Sequence, residues 1–183
     1  MKIPATFLMF ALAAMAACAQ SAKPDFLHDL KPYTPERQVQ GAMRRAYRDV
    51  LSGGGLELSE GVEVAVGHYA TRFDFAVKNG SVLQLAHTWS FEVSEKELDE
   101  HVKAWAWTVK ALRGHKDAFS RSIQAVVPSD VDIEVVFAPP QDEKSKVFQM
   151  AIDAFAELDV KAVDLAKADE VANRAKDLAT ARH

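Results

Sequence analysis

The sequence predicts an α+β fold: an antiparallel three-strand meander plus one further strand, flanked by helices in the order α-β-β-β-α-β-α-α. Three observations carry this reading. Runs of alternating hydrophobicity cluster between residues 62 and 93. An Asn79-Gly80 dipeptide separates two of them. Apolar residues recur at helical spacing before and after the cluster, and runs of strands followed by helices favour the α+β class.

The first helix is expected to start at Thr34, which can cap it, with Pro35 at the first helical position, where its missing N–H is not needed. Val39, Met43, Tyr47 and Val50 share one face, and the Gly53-Gly54-Gly55 run stops the helix. Val62, Val64 and Val66 alternate with less apolar neighbours, as do Phe73, Phe75 and Val77. Asn79-Gly80 suits a two-residue type I′ turn, so the return strand runs from Ser81 to about Val93. Ser94 with Glu97 forms a capping box, and Leu98, Val102, Trp105, Val109 and Leu112 make a stripe that Gly114 closes. Trp107 lies off that stripe, because two residues turn a helix by about 200°. A strand from Val131 to Ala138 ends at Pro139-Pro140, and helices follow over roughly 142–158 and 162–182.

Composition bounds the class. The chain has 183 residues, 49% hydrophobic and 26% charged, which is enough for a core without staples. A formal net charge of -4 argues against sequence-independent binding of nucleic acid. Lys2 precedes an apolar run from Ile3 to Ala17, followed by small residues and a polar switch at Gln20, the order of an export signal. The run is about 15 residues, short of the ~20 that span a bilayer as a helix. Residues 1–19 are therefore expected to be a signal, 20–33 a tether broken by Pro24 and Pro32, and 34–183 a single domain. The stretch Leu12-Ala13-Ala14-Met15-Ala16-Ala17-Cys18-Ala19-Gln20 resembles a bacterial lipobox, with Met15 where that family prefers Leu. The resemblance implies lipidation at Cys18. Ala17-Cys18-Ala19 also reads as an A-x-A cleavage site that would release a soluble protein. Being the only cysteine, Cys18 excludes an intramolecular disulfide.

The order helix, three strands, helix, strand is similar to the core of the PD-(D/E)XK nuclease superfamily. So are Arg72-Phe73-Asp74-Phe75-Ala76-Val77-Lys78-Asn79-Gly80, Trp89-Ser90-Phe91 and Ala104-Trp105-Ala106-Trp107, which also resemble uncharacterised bacterial proteins of that kind. The resemblance implies an acid on the second strand and an acid-x-lysine on the third, holding a divalent metal and water. Asp74 fits the first position. Gln84-Leu85-Ala86 stands at the second and offers neither carboxylate nor lysine. With a two-residue turn, Lys78 faces Ser81 and Asp74 faces Leu85, so Gln84 points to the other side of the sheet. The same register sets Arg72 opposite His87 on the face of Asp74. Asp74, His87 and Arg72 are thus the candidate site, able in principle to hold an anion or serve acid–base work.

Other patterns fall short of a motif. His68, His101 and His115 lack metal-ligand spacing, so no metal site is expected and no cofactor is named. Asp132 and Glu134 share one strand face, and Arg44, Arg45 and Arg48 make the first helix basic. The resulting expectation is an exported, periplasmic or lipid-anchored binding domain without catalysis, its partner a protein or small ligand. The alternative is a cytoplasmic, degenerate nuclease-like protein.

Overall fold

Three hairpin-linked strands pack side by side at the centre: β1 (Glu57–Val66), β2 (Tyr69–Asn79) and β3 (Ser81–Ser90). In the computed structural model the described residues are 35–52, 55–91, 95–114, 117–140 and 142–181. The export segment, Cys18, the tether, Thr34 and the Ser94 cap lie outside them, as does the side chain of Leu98. Helix α1 (Pro35–Leu51) precedes the meander and α2 (Glu95–Gly114) follows it. A hairpin comes next, β4 (Asp117–Ser120) and β5 (Ala125–Pro128), then β6 (Asp132–Ala138) and α3 (Lys146–Glu157). Strand β7 (Lys161–Asp164) leads through a short 3-10 turn to α4 (Ala168–Ala181). The class is mixed α+β, in a sheet ordered β5-β4-β1-β2-β3-β6-β7.

Among the described residues the sheet has seven strands rather than four. Strands β4, β5 and β7 hold four residues each, too few for an alternating pattern to stand out. Residues 161–164 add a parallel strand beside β6, so the last helix begins at Ala168. The preceding helix starts at Lys146, where Ser145 accepts from the Phe148 amide as its cap.

Helices cover both faces. On one side α2 and α3 bury Val102, Trp105, Val109, Leu112 and Phe155 against Val62, Val64, Phe73, Leu85 and Trp89. On the other, α1 and α4 bury Val39, Met43, Tyr47, Val171 and Ala175 against Phe75, Val77, Ala86 and Val136. Phe73 and Phe75 therefore face opposite layers, although two residues apart on a strand normally share a face. Phe73 meets Trp105 at 6.0 Å between ring centroids, and Phe75 meets Tyr47 at 5.5 Å. The pleat reverses between them, at Asp74. Across the ladder, Glu60 pairs with Phe75 and Val62 with Phe73, leaving Gly61 at the reversal with φ +64°. Positive φ is readily available only to glycine.

The β2–β3 turn differs from a type I′ hairpin. Asn79 pairs directly with Ser81, and only Gly80 takes positive φ, +76°. Val77 pairs with Gln84 and Lys78 with Val82, so Leu83 is bulged out of the ladder. Val82 joins Leu85 and Trp89 beneath α2.

Trp105 is 4% exposed and Trp107 is 59% exposed, with Lys110 Nζ 5.4 Å from the Trp107 ring centroid. Truncating Trp105 to Ala is expected to cost roughly 3–5 kcal/mol. The Trp107→Ala change should cost less than about 1 kcal/mol. Urea unfolding of both variants checks the order, and a larger loss from Trp107→Ala would contradict the packing described.

Candidate functional site

The β2–β3 ladder ends at Phe75 and Ala86. Beyond it β2 stays with β1, and β3 runs on beside β6 through Ser90. The sheet forks here, and Asp74 stands in the crotch. Its Oδ2 accepts from the Thr88 backbone N–H at 2.7 Å and the Thr88 hydroxyl at 2.7 Å. Its Oδ1 accepts from Gln40 Nε2 of α1 at 2.9 Å. His87 Nδ1 lies 3.0 Å from Oδ2, near enough for an ion pair but off the line of a hydrogen bond. One carboxylate thus joins β2, β3 and α1. It also satisfies a backbone amide that has lost its place in the ladder, a group costly to leave buried and unpaired.

The bulge at Leu83 and the pleat reversal at Asp74 change the expected neighbours. Continued past Ala86, the register sets Asp74 beside His87 rather than Leu85. Arg72 pairs with Glu63 of β1, not with His87. The three candidates nevertheless meet: Arg72, Asp74 and His87 line one cleft of about 470 Å³ with Gln40, Arg44 and Glu60. Arg44 is committed to Glu60 through two hydrogen bonds of 2.8 and 2.6 Å. Arg72 lies against Gly61, where an added Cβ would sit 2.4 Å from Arg72 Nη2. A second cleft, about 350 Å³, opens on the α2 side between the parted strands, and His87 lines it too.

Gln84 faces the α1–α4 layer, on the side of Asp74, a consequence of the pleat reversal and the reverse of the expected placement. Its amide oxygen accepts from Tyr47 Oη at 2.7 Å. Its nitrogen donates to Glu134 Oε1 at 2.9 Å and the Val171 carbonyl at 3.1 Å, with Asp132 Oδ2 at 3.3 Å. Glu134 is fully buried and held by the Arg174 guanidinium through both carboxylate oxygens. Burial and the adjacent Asp132 hold the Glu134 carboxyl above its ordinary value in spite of Arg174. Asp132 and Glu134 share a face, as expected, and belong to a polar network with Gln84 and Arg174.

The residues present do not fit the divalent metal that the nuclease resemblance implies. Gln84 is spent on Tyr47 and Glu134, Ala86 has no donor atom, and the Asp74 oxygens are engaged. Among the described residues no group of three His, Cys, Asp or Glu side chains is placed to hold a metal ion. The sequence signalled Asp74, His87 and Arg72. It gave no signal for Gln40 and Thr88, whose roles depend on where the strands part.

No family of known proteins matches the chain, and no curated relative does. Among solved structures the chain is similar to the crystal structure of protein VC1899 from Vibrio cholerae, at 12% identity and a TM-score of 0.41. The match covers 78% of this chain and 32% of that one, so this chain spans about a third of the neighbour's length. A likeness at that level says nothing about activity.

Burial pushes the Asp74 carboxyl up, but His87 and the Thr88 donors outweigh it and hold the group below its ordinary value. The folded value is thus the lower one. The ionised group stabilises the fold fully above the unfolded value of about 3.9, and that contribution is lost as pH falls through the folded value. Asp74→Asn should cost on the order of 1–3 kcal/mol at neutral pH, since a neutral amide oxygen accepts the Thr88 donors more weakly than the carboxylate does. It should also flatten the acid limb of the stability curve. Thermal melts between about pH 7 and pH 3 check both, and an unchanged acid limb would contradict this role for Asp74.

Proposed function

We propose that this chain is a non-catalytic binding domain that takes a small anionic ligand in the cleft lined by Arg72, Gln40 and His87. The observation that carries the reading is the placement of Arg72. Among the described residues its guanidinium has no hydrogen bond or ion pair, and it lies over a glycine that leaves room for it. A guanidinium held at the mouth of a polar cleft suits a carboxylate or a similar oxyanion, which it can meet with two parallel hydrogen bonds. His87 adds a second nitrogen-bearing wall. Asp74 serves this site by holding His87 and Thr88 in place and is not itself in a position to attack or to carry metal. The export-like start of the chain supports an exported or lipid-anchored setting, with Cys18 as the lipid-bearing residue.

Calorimetric titration with citrate and with sulfate tests the reading. Binding by the wild type should weaken about ten- to a hundredfold in Arg72→Gln, the range of a charge-assisted hydrogen bond. Gly61→Ala should also weaken it, because the added methyl displaces the guanidinium. Binding that is indifferent to Arg72 would overturn the proposal. Cleavage of nucleic acid with Mg²⁺ or Mn²⁺, lost in Asp74→Ala, would favour the nuclease-like alternative instead.

A further inference from the structure

We infer that the anion held at Arg72 is a hydroxy or amino acid: a carboxylate that carries its own hydrogen-bond donor, which it gives to the amide oxygen of Gln40. The inference rests on the anion reading and narrows it to a class of ligand.

The direction of one side-chain amide carries it. Gln40 Nε2 donates to Asp74 Oδ1 at 2.9 Å. An ionised carboxylate only accepts, so the nitrogen is the end of the amide that must meet it. Asp74 keeps that ionised form at neutral pH, because His87 and the Thr88 donors hold its carboxyl below the ordinary value. Asp74 is itself fixed by the Thr88 amide and hydroxyl, each at 2.7 Å. The Gln40 amide is therefore not free to turn over, and Oε1 is the end left for something else.

Among the described residues that oxygen has no hydrogen-bond partner. Nor does it belong with the unpaired atoms closed off from solvent, which are His87 Nδ1 and Trp105 Nε1. Gln40 is half-buried and lines the 470 Å³ cleft beside Asp74 and Arg72. The other carboxylate of that cleft, Glu60, has both oxygens engaged by Arg44, at 2.8 and 2.6 Å. A ligand entering the cleft thus meets a free cation at Arg72 and a free neutral acceptor at Gln40.

The two groups ask for different chemistry. A guanidinium has only N–H donors and takes an oxyanion. An amide oxygen only accepts, so a carboxylate oxygen set against it makes no bond. A plain oxyanion uses Arg72 and leaves Gln40 to water. A small acid that also bears a hydroxyl or an ammonium group satisfies both, and the cleft is in the size range of small-molecule pockets.

The experiment keeps the carbon skeleton constant and moves the donor. Propionate, lactate, β-hydroxypropionate and alanine are titrated into the folded chain by NMR, with the Gln40 side-chain carbonyl observed in a ¹³C-labelled sample. At least one donor-bearing acid should bind about two- to tenfold tighter than propionate, the worth of one added hydrogen bond. The same acid should shift the Gln40 carbonyl, which propionate leaves in place. An advantage confined to alanine assigns an amino acid, and one confined to the hydroxylated probes a hydroxy acid. In Gln40→Met the advantage over propionate should vanish. If that variant fails to fold or binds no probe, the wild-type carbonyl shift decides alone. Equal binding of all the probes would overturn the inference, as would a carbonyl that responds to propionate as it does to the others, or an advantage that persists in Gln40→Met. Citrate is titrated alongside to separate the two readings. Citrate held through Arg72 while none of these probes binds would overturn this inference alone. Citrate binding indifferent to Arg72→Gln would remove the anion reading and this inference with it.

Discussion

Where β2 and β3 part, the backbone of β3 loses a ladder partner on one side, and the Asp74 carboxylate takes its place. The carboxylate receives the Thr88 amide, the Thr88 hydroxyl and the Gln40 amide, and it faces the His87 imidazole. Much else follows from that substitution. It lets the sheet fork without an unpaired buried amide. The α1 helix is tied to the fork through Gln40. His87 is set as a wall common to two clefts, one polar and one largely aromatic. The pleat reversal at Asp74 and Gly61 sends Phe73 to one hydrophobic layer and Phe75 to the other, so one short stretch of β2 anchors both cores.

A second constraint lies deeper. Gln84 occupies the position at which the nuclease resemblance would put an acid, and it is bound into a network with Tyr47, Glu134, Arg174 and Val171. Such a network fixes the register of β3 against β6 and the seating of α4, because every member needs all the others to avoid an unpaired buried group. A polar position that could serve chemistry serves architecture instead. The polar groups between β3, β6, α1 and α4 are committed to one another.

The large elements were legible from the sequence because they carry long patterns. The Val39, Met43 and Tyr47 face of α1, the valines of β1 and the Val102 to Leu112 stripe of α2 all lie where their periodicity put them. That Trp107 lies off the α2 stripe followed from helix geometry alone, and the structure leaves it exposed. What was hidden depends on single residues whose effect is nonlocal. The bulge at Leu83 has no composition signal, yet it shifts the partner of every residue beyond it. The reversed pleat depends on Gly61 and Asp74 lying across from each other, which requires the pairing to be known first. Asp74, His87 and Arg72 could therefore be named as neighbours while their contacts were assigned wrongly.

The central claim is that the Asp74 carboxylate replaces a ladder partner for the Thr88 amide. Amide hydrogen exchange at Thr88 tests it most directly. In the wild type the Thr88 N–H should exchange slowly, with protection close to that of Ala86 within the ladder, and in Asp74→Ala, which removes the acceptor, it should lose much of that protection while Ala86 keeps its own. A Thr88 amide that exchanges fast in the wild type, or one equally protected in both proteins, would contradict the account.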